Sequence, residues 1–139
     1  MGNKVLVIED SPDNMKLICY ILKYSGYTTI GADTGRRGID MAIAEKPDFI
    51  ILDIQLPDID GNEVLRQIRC SETDGKVPII AMTSYAMSGD REKLLNAGCT
   101  GYVEKPIDPE TVMEEIDIIL KQKSEKQNDS WLIRRSGST

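Results

Sequence analysis

No histidine occurs among the 139 residues of the chain. Its absence removes the commonest general base, His-based triads and imidazole metal sites together. Three cysteines, Cys19, Cys70 and Cys99, are too few and too scattered for a disulfide framework or a zinc knuckle, and read as small hydrophobes in a reducing compartment. Chemistry in this chain therefore rests on carboxylates, hydroxyls and lysines. Four short stretches supply them: Glu9-Asp10, Asp53, Thr83-Ser84 and Glu104-Lys105-Pro106. Taken singly, each has a plain structural explanation. Asp10 suits a turn or a helix cap, Thr83 suits a cap, and Lys105 suits a solvated surface. Taken together they are costly. Two carboxylates about 4 Å apart at an effective dielectric near 20 repel by about 4 kcal/mol, so such a cluster persists where a cation neutralises it or function requires it.

The cation that fits is Mg²⁺, which takes oxygen ligands in octahedral geometry and keeps several waters, with Mn²⁺ as a substitute. Without metal, three crowded carboxylates should leave at least one with a raised pKa. A cation, an ammonium and a hydroxyl converging on one carboxylate would neutralise the three equatorial oxygens of a transferred phosphoryl group. Asp53 would then be a nucleophile that forms an acyl phosphate.

The elements that must bring these residues together are visible as alternating patterns. Val5-Leu6-Val7-Ile8, Phe49-Ile50-Ile51-Leu52 and Val77-Pro78-Ile79-Ile80-Ala81-Met82 are short apolar runs of the kind buried on both faces of a sheet. Weaker strand patterns lie at Tyr27–Ile30 and Gly101–Val103. Pro78 is tolerable only near a strand's start. Met15, Ile18, Cys19 and Leu22 follow a helical period, with Ser11 as N-cap, Pro12 at the first helical position and Gly26 as the stop. Further helices are marked by Ile39, Ala42 and Ile43 before Pro47; by Val64, Leu65 and Ile68 after Gly61; and by Leu94, Leu95 and Ala97 before Gly98. The last is marked by Val112, Met113, Ile116, Ile119 and Leu120, with Asp108 as N-cap and Pro109 next. Strict βα alternation predicts an α/β fold, a doubly wound five-stranded parallel sheet whose ligands bind at the carboxyl ends of the strands. All four reactive stretches fall at those ends.

The remaining features set limits. Seventeen basic against 23 acidic side chains give a net charge of −6, which repels a phosphate backbone and argues against direct nucleic-acid binding. The longest unbroken aliphatic or aromatic runs, such as Phe49–Leu52, are far short of the 18 or so residues of a membrane span. Nothing at the N-terminus reads as a signal peptide, and Leu6 stands where myristoylation wants Ser or Thr. The expected setting is cytoplasmic. The expected domain covers 1–123, and the polar stretch 124–139, with Trp131 and Arg134-Arg135, reads as a flexible tail.

The run Val5-Leu6-Val7-Ile8-Glu9-Asp10, then Leu52-Asp53-Ile54-Gln55-Leu56-Pro57 with Gly61, then Thr83, then Lys105-Pro106 resembles the receiver domain of two-component response regulators, of the stand-alone, chemotaxis-regulator-like kind. The resemblance spans about Lys4 to Leu120. It implies a flavodoxin-like (βα)5 fold with strand order 2-1-3-4-5. It makes Asp53 the phosphoacceptor, Asp10 a direct Mg²⁺ ligand with Asp53, Glu9 a ligand through water, and the backbone carbonyl of Gln55 a further ligand. Thr83 becomes the switch hydroxyl, Lys105 the phosphoryl-binding lysine with a cis bond to Pro106, and Tyr102 the aromatic that follows the switch. Ser84 leaves room for the phosphoryl group. The implied chemistry is confined to self-phosphorylation and self-dephosphorylation; the chain would not be an enzyme for other substrates. The implied partners are a histidine kinase or histidine phosphotransfer protein, a downstream effector, and a second copy of the chain in a phosphorylation-dependent homodimer.

Other classes fit less well. A flavodoxin-type cofactor binder wants a Ser/Thr/Gly-rich loop where Glu9-Asp10-Ser11-Pro12-Asp13 stands. A haloacid-dehalogenase-type phosphatase wants a second Asp at Gln55. A P-loop NTPase wants a G-x-x-x-x-G-K-[ST] motif that is absent. The reading that competes is a receiver fragment of a larger regulator or hybrid histidine kinase.

Overall fold

The computed structural model of the protein describes residues 3–72, 76–84 and 88–122, with backbone alone for 88–91; the stretch 124–139, with Trp131, lies outside the described residues. The elements alternate throughout: β1 (Lys4–Ile8), α1 (Pro12–Tyr24), β2 (Thr28–Ala32), α2 (Gly35–Glu45), β3 (Phe49–Asp53), α3 (Gly61–Ser71), β4 (Ile79–Thr83), α4 (Ser88–Ala97) and β5 (Gly101–Glu104). A fifth helix, α5, follows over 112–122. The five strands form one parallel sheet in the order β2-β1-β3-β4-β5, as the resemblance implied. No described helix is long and apolar enough to cross a membrane.

The two-residue period of the strands divides the apolar residues between two cores. Leu6, Ile8, Ile50, Leu52, Ile79 and Ala81 face α2, α3 and α4, where Ile39, Val64, Leu65, Ile68 and Leu94 meet them. Val5, Val7, Phe49, Ile51, Ile80 and Met82 face Ile18 and Leu22 of α1 and Val112 and Ile116 of α5. Because both faces are covered, the central strands read as continuous apolar runs. At roughly 1.5–3 kcal/mol per buried large aliphatic side chain, these two layers outweigh any local propensity.

Local signals set the helix ends. The Ser11 hydroxyl accepts from the Asn14 N–H and Pro12 opens α1, as expected. Gly26, at φ 97°, supplies the left-handed residue after the helix. Asp108 accepts the Glu110 N–H on its side chain and the Val112 N–H on its carbonyl, which makes it the cap of α5.

Three expectations are corrected. Ile43 and Leu95 are each 51% exposed rather than buried. Adjacent residues on a helix point about 100° apart, so Leu94 takes the core and Leu95 turns outward; in α2, Ile39 takes the core and Ile43 has rotated off it. Strand β4 starts at Ile79, not Val77. Pro78 has no N–H to give, yet its carbonyl still accepts the Ile50 N–H at 2.9 Å.

Candidate functional site

Each reactive residue stands where a strand gives way to a loop. The Glu9 N–H continues the ladder to the Ala32 carbonyl at 2.9 Å, so the first acidic residue is held with strand geometry. Its side chain turns inward and is 1% exposed. The Ser11 N–H donates to Glu9 Oε2 at 3.0 Å. Asp10, the next residue, stays exposed. Asp53 ends β3 at 1% exposure, and its Oδ1 accepts the Gln55 N–H at 2.9 Å. One carboxylate oxygen from each of Glu9, Asp10 and Asp53 lies within 4.8 Å of the others.

Lys105 completes the cluster from β5. Its N–H donates to the Thr83 carbonyl at 2.9 Å, and its peptide bond to Pro106 is cis. The ammonium then sits 3.1 Å from Asp53 Oδ1 and 3.3 Å from Glu9 Oε1. Glu9 Oε1 is buried and makes no hydrogen bond among the described residues, so the ammonium balances it by charge without a directed bond. Such an oxygen is costly to leave in this state. With all ionised, three carboxylates against one ammonium leave two negative charges, the deficit a divalent cation fills. Every donor in the set is a hard oxygen. The residues fit Mg²⁺ on both counts.

The expected rise in a carboxyl pKa falls on Glu9, but the leading cause differs from the one anticipated. Burial pushes it up most, the Ser11 N–H opposes that rise, and the charge of Asp53 adds a lesser push. Repulsion within the cluster is therefore secondary to desolvation.

Thr83 ends β4 and is buried at 3% exposure. Since Asp53 pairs with Met82, Thr83 lies one residue beyond that rung of the ladder. Tyr102 pairs with Ala81, and Thr83 pairs with Glu104. By strand alternation Tyr102 and Thr83 share the sheet face that carries α2 to α4. Tyr102 is half-buried and packs against that core. The structure thus gathers Glu9, Asp10, Asp53 and Lys105, sets Thr83 at the adjoining strand end, and leaves Tyr102 outside the cluster.

The β3–α3 loop, 54–60, is shaped by contacts the sequence hides. A Cβ on Gly61 would stand 2.5 Å from Ile54 Cα and 2.7 Å from its carbonyl oxygen. Only glycine lets the loop close, with the Gly61 N–H on the Ile54 carbonyl at 3.1 Å. Two groups escaped sequence reading. The Ser11 amide was visible only as part of a cap, not as a donor to Glu9. Asp58 bonds to residues 22 and 23 positions earlier, a partnership without a local signal.

Comparison with known proteins agrees with this geometry. Residues 5–117 match the response regulator receiver domain. The chain is 39% identical over 116 residues to the polar-differentiation response regulator DivK of Brucella ovis, covering 84% of this chain and 94% of that protein. The chemotaxis response regulator CheY4 of Vibrio cholerae superposes with a TM-score of 0.81 at 26% identity, over 86% of this chain and 99% of that one. The receiver domain of the sensor histidine kinase PA1611 from Pseudomonas aeruginosa, solved with a magnesium ion coordinated in its active-site cleft, gives 0.75 at 35% identity, over 87% of this chain and 97% of that one. Matched by that family over residues 5–117, and with its parallel sheet and its acidic cluster at the strand ends, the chain belongs to the response regulator receiver domain family.

Proposed function

We infer that Asp53 accepts a phosphoryl group, and that Glu9, Asp10, Asp53 and the Gln55 backbone carbonyl hold the Mg²⁺ the transfer needs. The observation that carries this reading is the Lys105 ammonium, which lies 3.1 Å from Asp53 and 3.3 Å from the buried Glu9. One Asp53 carboxylate oxygen attacks phosphorus; the new O–P bond forms as the donor's P–N bond breaks and the electron pair leaves with the imidazole or, with an acyl phosphate as donor, as its P–O bond breaks and the electron pair leaves with the carboxylate. Having no histidine, this chain takes the group from a histidine kinase, a histidine phosphotransfer protein or a small acyl phosphate. Bound Mg²⁺, with Mn²⁺ as substitute, supplies charge neutralisation at the phosphoryl oxygens. Lys105 supplies a second positive charge at Asp53, and the Gln55 N–H holds Asp53 Oδ1 in one orientation. Thr83 donates its hydroxyl to the phosphoryl group, and Tyr102 follows on the same face. Ser84 is exposed and small, which leaves the entrance open.

Output on this reading is a change of surface around α4, β5 and α5, read by an effector or by a second copy. The likeness to DivK, itself a response regulator, supports a receiver whose output is read by other proteins, and a net charge of −6 favours action away from DNA. Intact-mass measurement after incubation with acetyl phosphate and Mg²⁺ tests the chemistry. One phosphoryl group should be gained, removed by hydroxylamine, supported by Mn²⁺ and absent from Asp53→Asn. Label persisting in Asp53→Asn would sink the assignment.

A further inference from the structure

Asp58 lies in the loop that carries Gln55, yet its bonds go elsewhere. Its Oδ1 accepts the Gly35 N–H at 2.8 Å and its Oδ2 the Arg36 N–H at 3.0 Å. Both belong to the first turn of α2, the helix after β2. Helix α2 also has a cap of its own: the Thr34 hydroxyl accepts the Arg37 N–H at 3.1 Å, and the Thr34 carbonyl accepts the Gly38 N–H at 3.0 Å. The first turn is therefore closed by two residues, one local and one from β3–α3.

The sheet order gives this bond its reach. Strand β1 lies between β2 and β3, so Asp58 ties the segments flanking β1, whose own end delivers Glu9 and Asp10. The approach is close. A Cβ on Gly35 would stand 2.9 Å from Val64 of α3, 3.3 Å from Asp58 Oδ1 and 3.3 Å from Ile59. At its start the loop is fixed by the Ile54 N–H on the Met82 carbonyl and the Gln55 N–H on Asp53. At its end Asp60 caps α3 through the Asn62 N–H. Asp58 is the polar anchor between them, and the positive end of the α2 dipole favours a carboxylate there.

We propose that Asp58 is a positioning residue for the divalent cation: by pinning the β3–α3 loop to the N-terminus of α2, it holds the Gln55 backbone where it contributes to the metal site. The proposal rests on the Mg²⁺ reading given above. Asp58 and Arg36 are exposed, so water can enter where the carboxylate stood and take the Arg36 N–H, and although Gly35 is buried the fold should persist.

The test compares two caps of one helix. Asp58→Ala removes the anchor shared with the loop; Thr34→Ala frays the same helix end without touching the loop. Mg²⁺ affinity of the full chain is followed by the amide NMR shifts of Asp53 and Gln55. Asp58→Ala should weaken Mg²⁺ by about fivefold, the size of one lost cap, and Asp58→Asn, which keeps one acceptor oxygen, by less. Thr34→Ala should leave the affinity unchanged. Linkage is reciprocal, so Mg²⁺ should slow hydrogen exchange at Gly35 and Arg36 in the unaltered protein but not in Asp58→Ala. Equal weakening in Asp58→Ala and Thr34→Ala, or an unchanged affinity in Asp58→Ala, overturns the proposal. If the unaltered protein shows no Mg²⁺-dependent shifts at Asp53, or Asp10→Ala leaves its titration unchanged, the metal reading itself has failed and the proposal falls with it.

Discussion

Two residues show how little room the site leaves for substitution. Lys105 is the cation shared by Asp53 and Glu9, and its side chain is 14% exposed. Removing one partner of a buried ion pair costs about 3–5 kcal/mol, because the remaining charge is left uncompensated. Lys105→Met should therefore destabilise the metal-free protein by an amount toward the lower end of that range. Since Mg²⁺ supplies the missing positive charge, the Mg²⁺-induced rise in Tm should be larger in Lys105→Met than in the unaltered protein; a smaller rise would show that the lysine and the metal do not neutralise the same carboxylates. Gly61 is the second case. Its would-be Cβ meets Ile54 backbone rather than a side chain that can swing aside. Overpacking of this kind costs about 1–3 kcal/mol, and the displaced backbone is the one that leads to Gln55. Gly61→Ala should lower stability and slow phosphorylation together. Gly26→Ala is the control: φ is 97° there and nothing among the described residues lies within 4 Å of the new methyl group, so about 1 kcal/mol of backbone strain should appear with phosphorylation unchanged.

At the scale of elements, the helix ends hold what the sequence conceals. Asp58 has its carboxyl held below the ordinary carboxylate range by the Arg36 and Gly35 N–H groups, in that order. A depressed folded pKa means stability present above the unfolded value and lost as pH falls through the folded one. The Tm difference between the unaltered protein and Asp58→Asn should accordingly be full near neutrality and close below about pH 4, the region of an ordinary aspartate; a constant gap across a thermal-denaturation pH series would show that charge plays no part. At the opposite edge, Arg69 donates to the Gly98 carbonyl at 2.9 Å, the Val77 carbonyl at 2.6 Å and both oxygens of Glu72 at 3.0 Å, while Glu72 accepts the Val77 N–H at 2.6 Å. This half-buried clamp joins the ends of α3 and α4 to the start of β4. Arg69→Met should cost about 2–3 kcal/mol, the range for losing a charged hydrogen-bond partner, yet leave Mg²⁺ affinity untouched. Neither Asp58 nor Arg69 was legible, for the same reason. Capping rules read partners three or four residues apart, whereas Asp58 reaches back 23 residues and Arg69, beyond its neighbour Glu72, reaches forward 29. Ser11, Pro12 and Asp108 cap within that local window, and all three were readable.

For the whole molecule, the alternation that made the fold readable also separates its two halves. The apolar strand runs, the βα order and the acidic strand ends followed from short-range patterns, because burial on both faces leaves few residue types in a central strand. What pattern alone does not carry is which core a given residue serves; that follows from the sheet register. Thr83 and Tyr102 fall on the α2–α4 face, while Met82 and Val103 fall on the α1–α5 face. A phosphoryl group on Asp53 that draws Thr83 toward it acts first on the former core. Shifting a two-state equilibrium from 1:99 to 99:1 takes about 5.5 kcal/mol. Hydrogen bonds to a charged group contribute about 1.5–3 kcal/mol each, so the Thr83 hydroxyl and the Lys105 ammonium together come near that figure. Beryllofluoride, an acyl-phosphate mimic, should therefore move the NMR signals of Tyr102 and Leu94 while those of Ile18 and Leu22 of α1 stay in place. Thr83→Ala should still gain one phosphoryl group by intact mass but lose the Tyr102 and Leu94 shifts. Shifts confined to Glu9, Asp53 and their loops, or as large at Ile18 and Leu22 of α1 as at Tyr102 and Leu94, would show that the sheet does not route the signal by face.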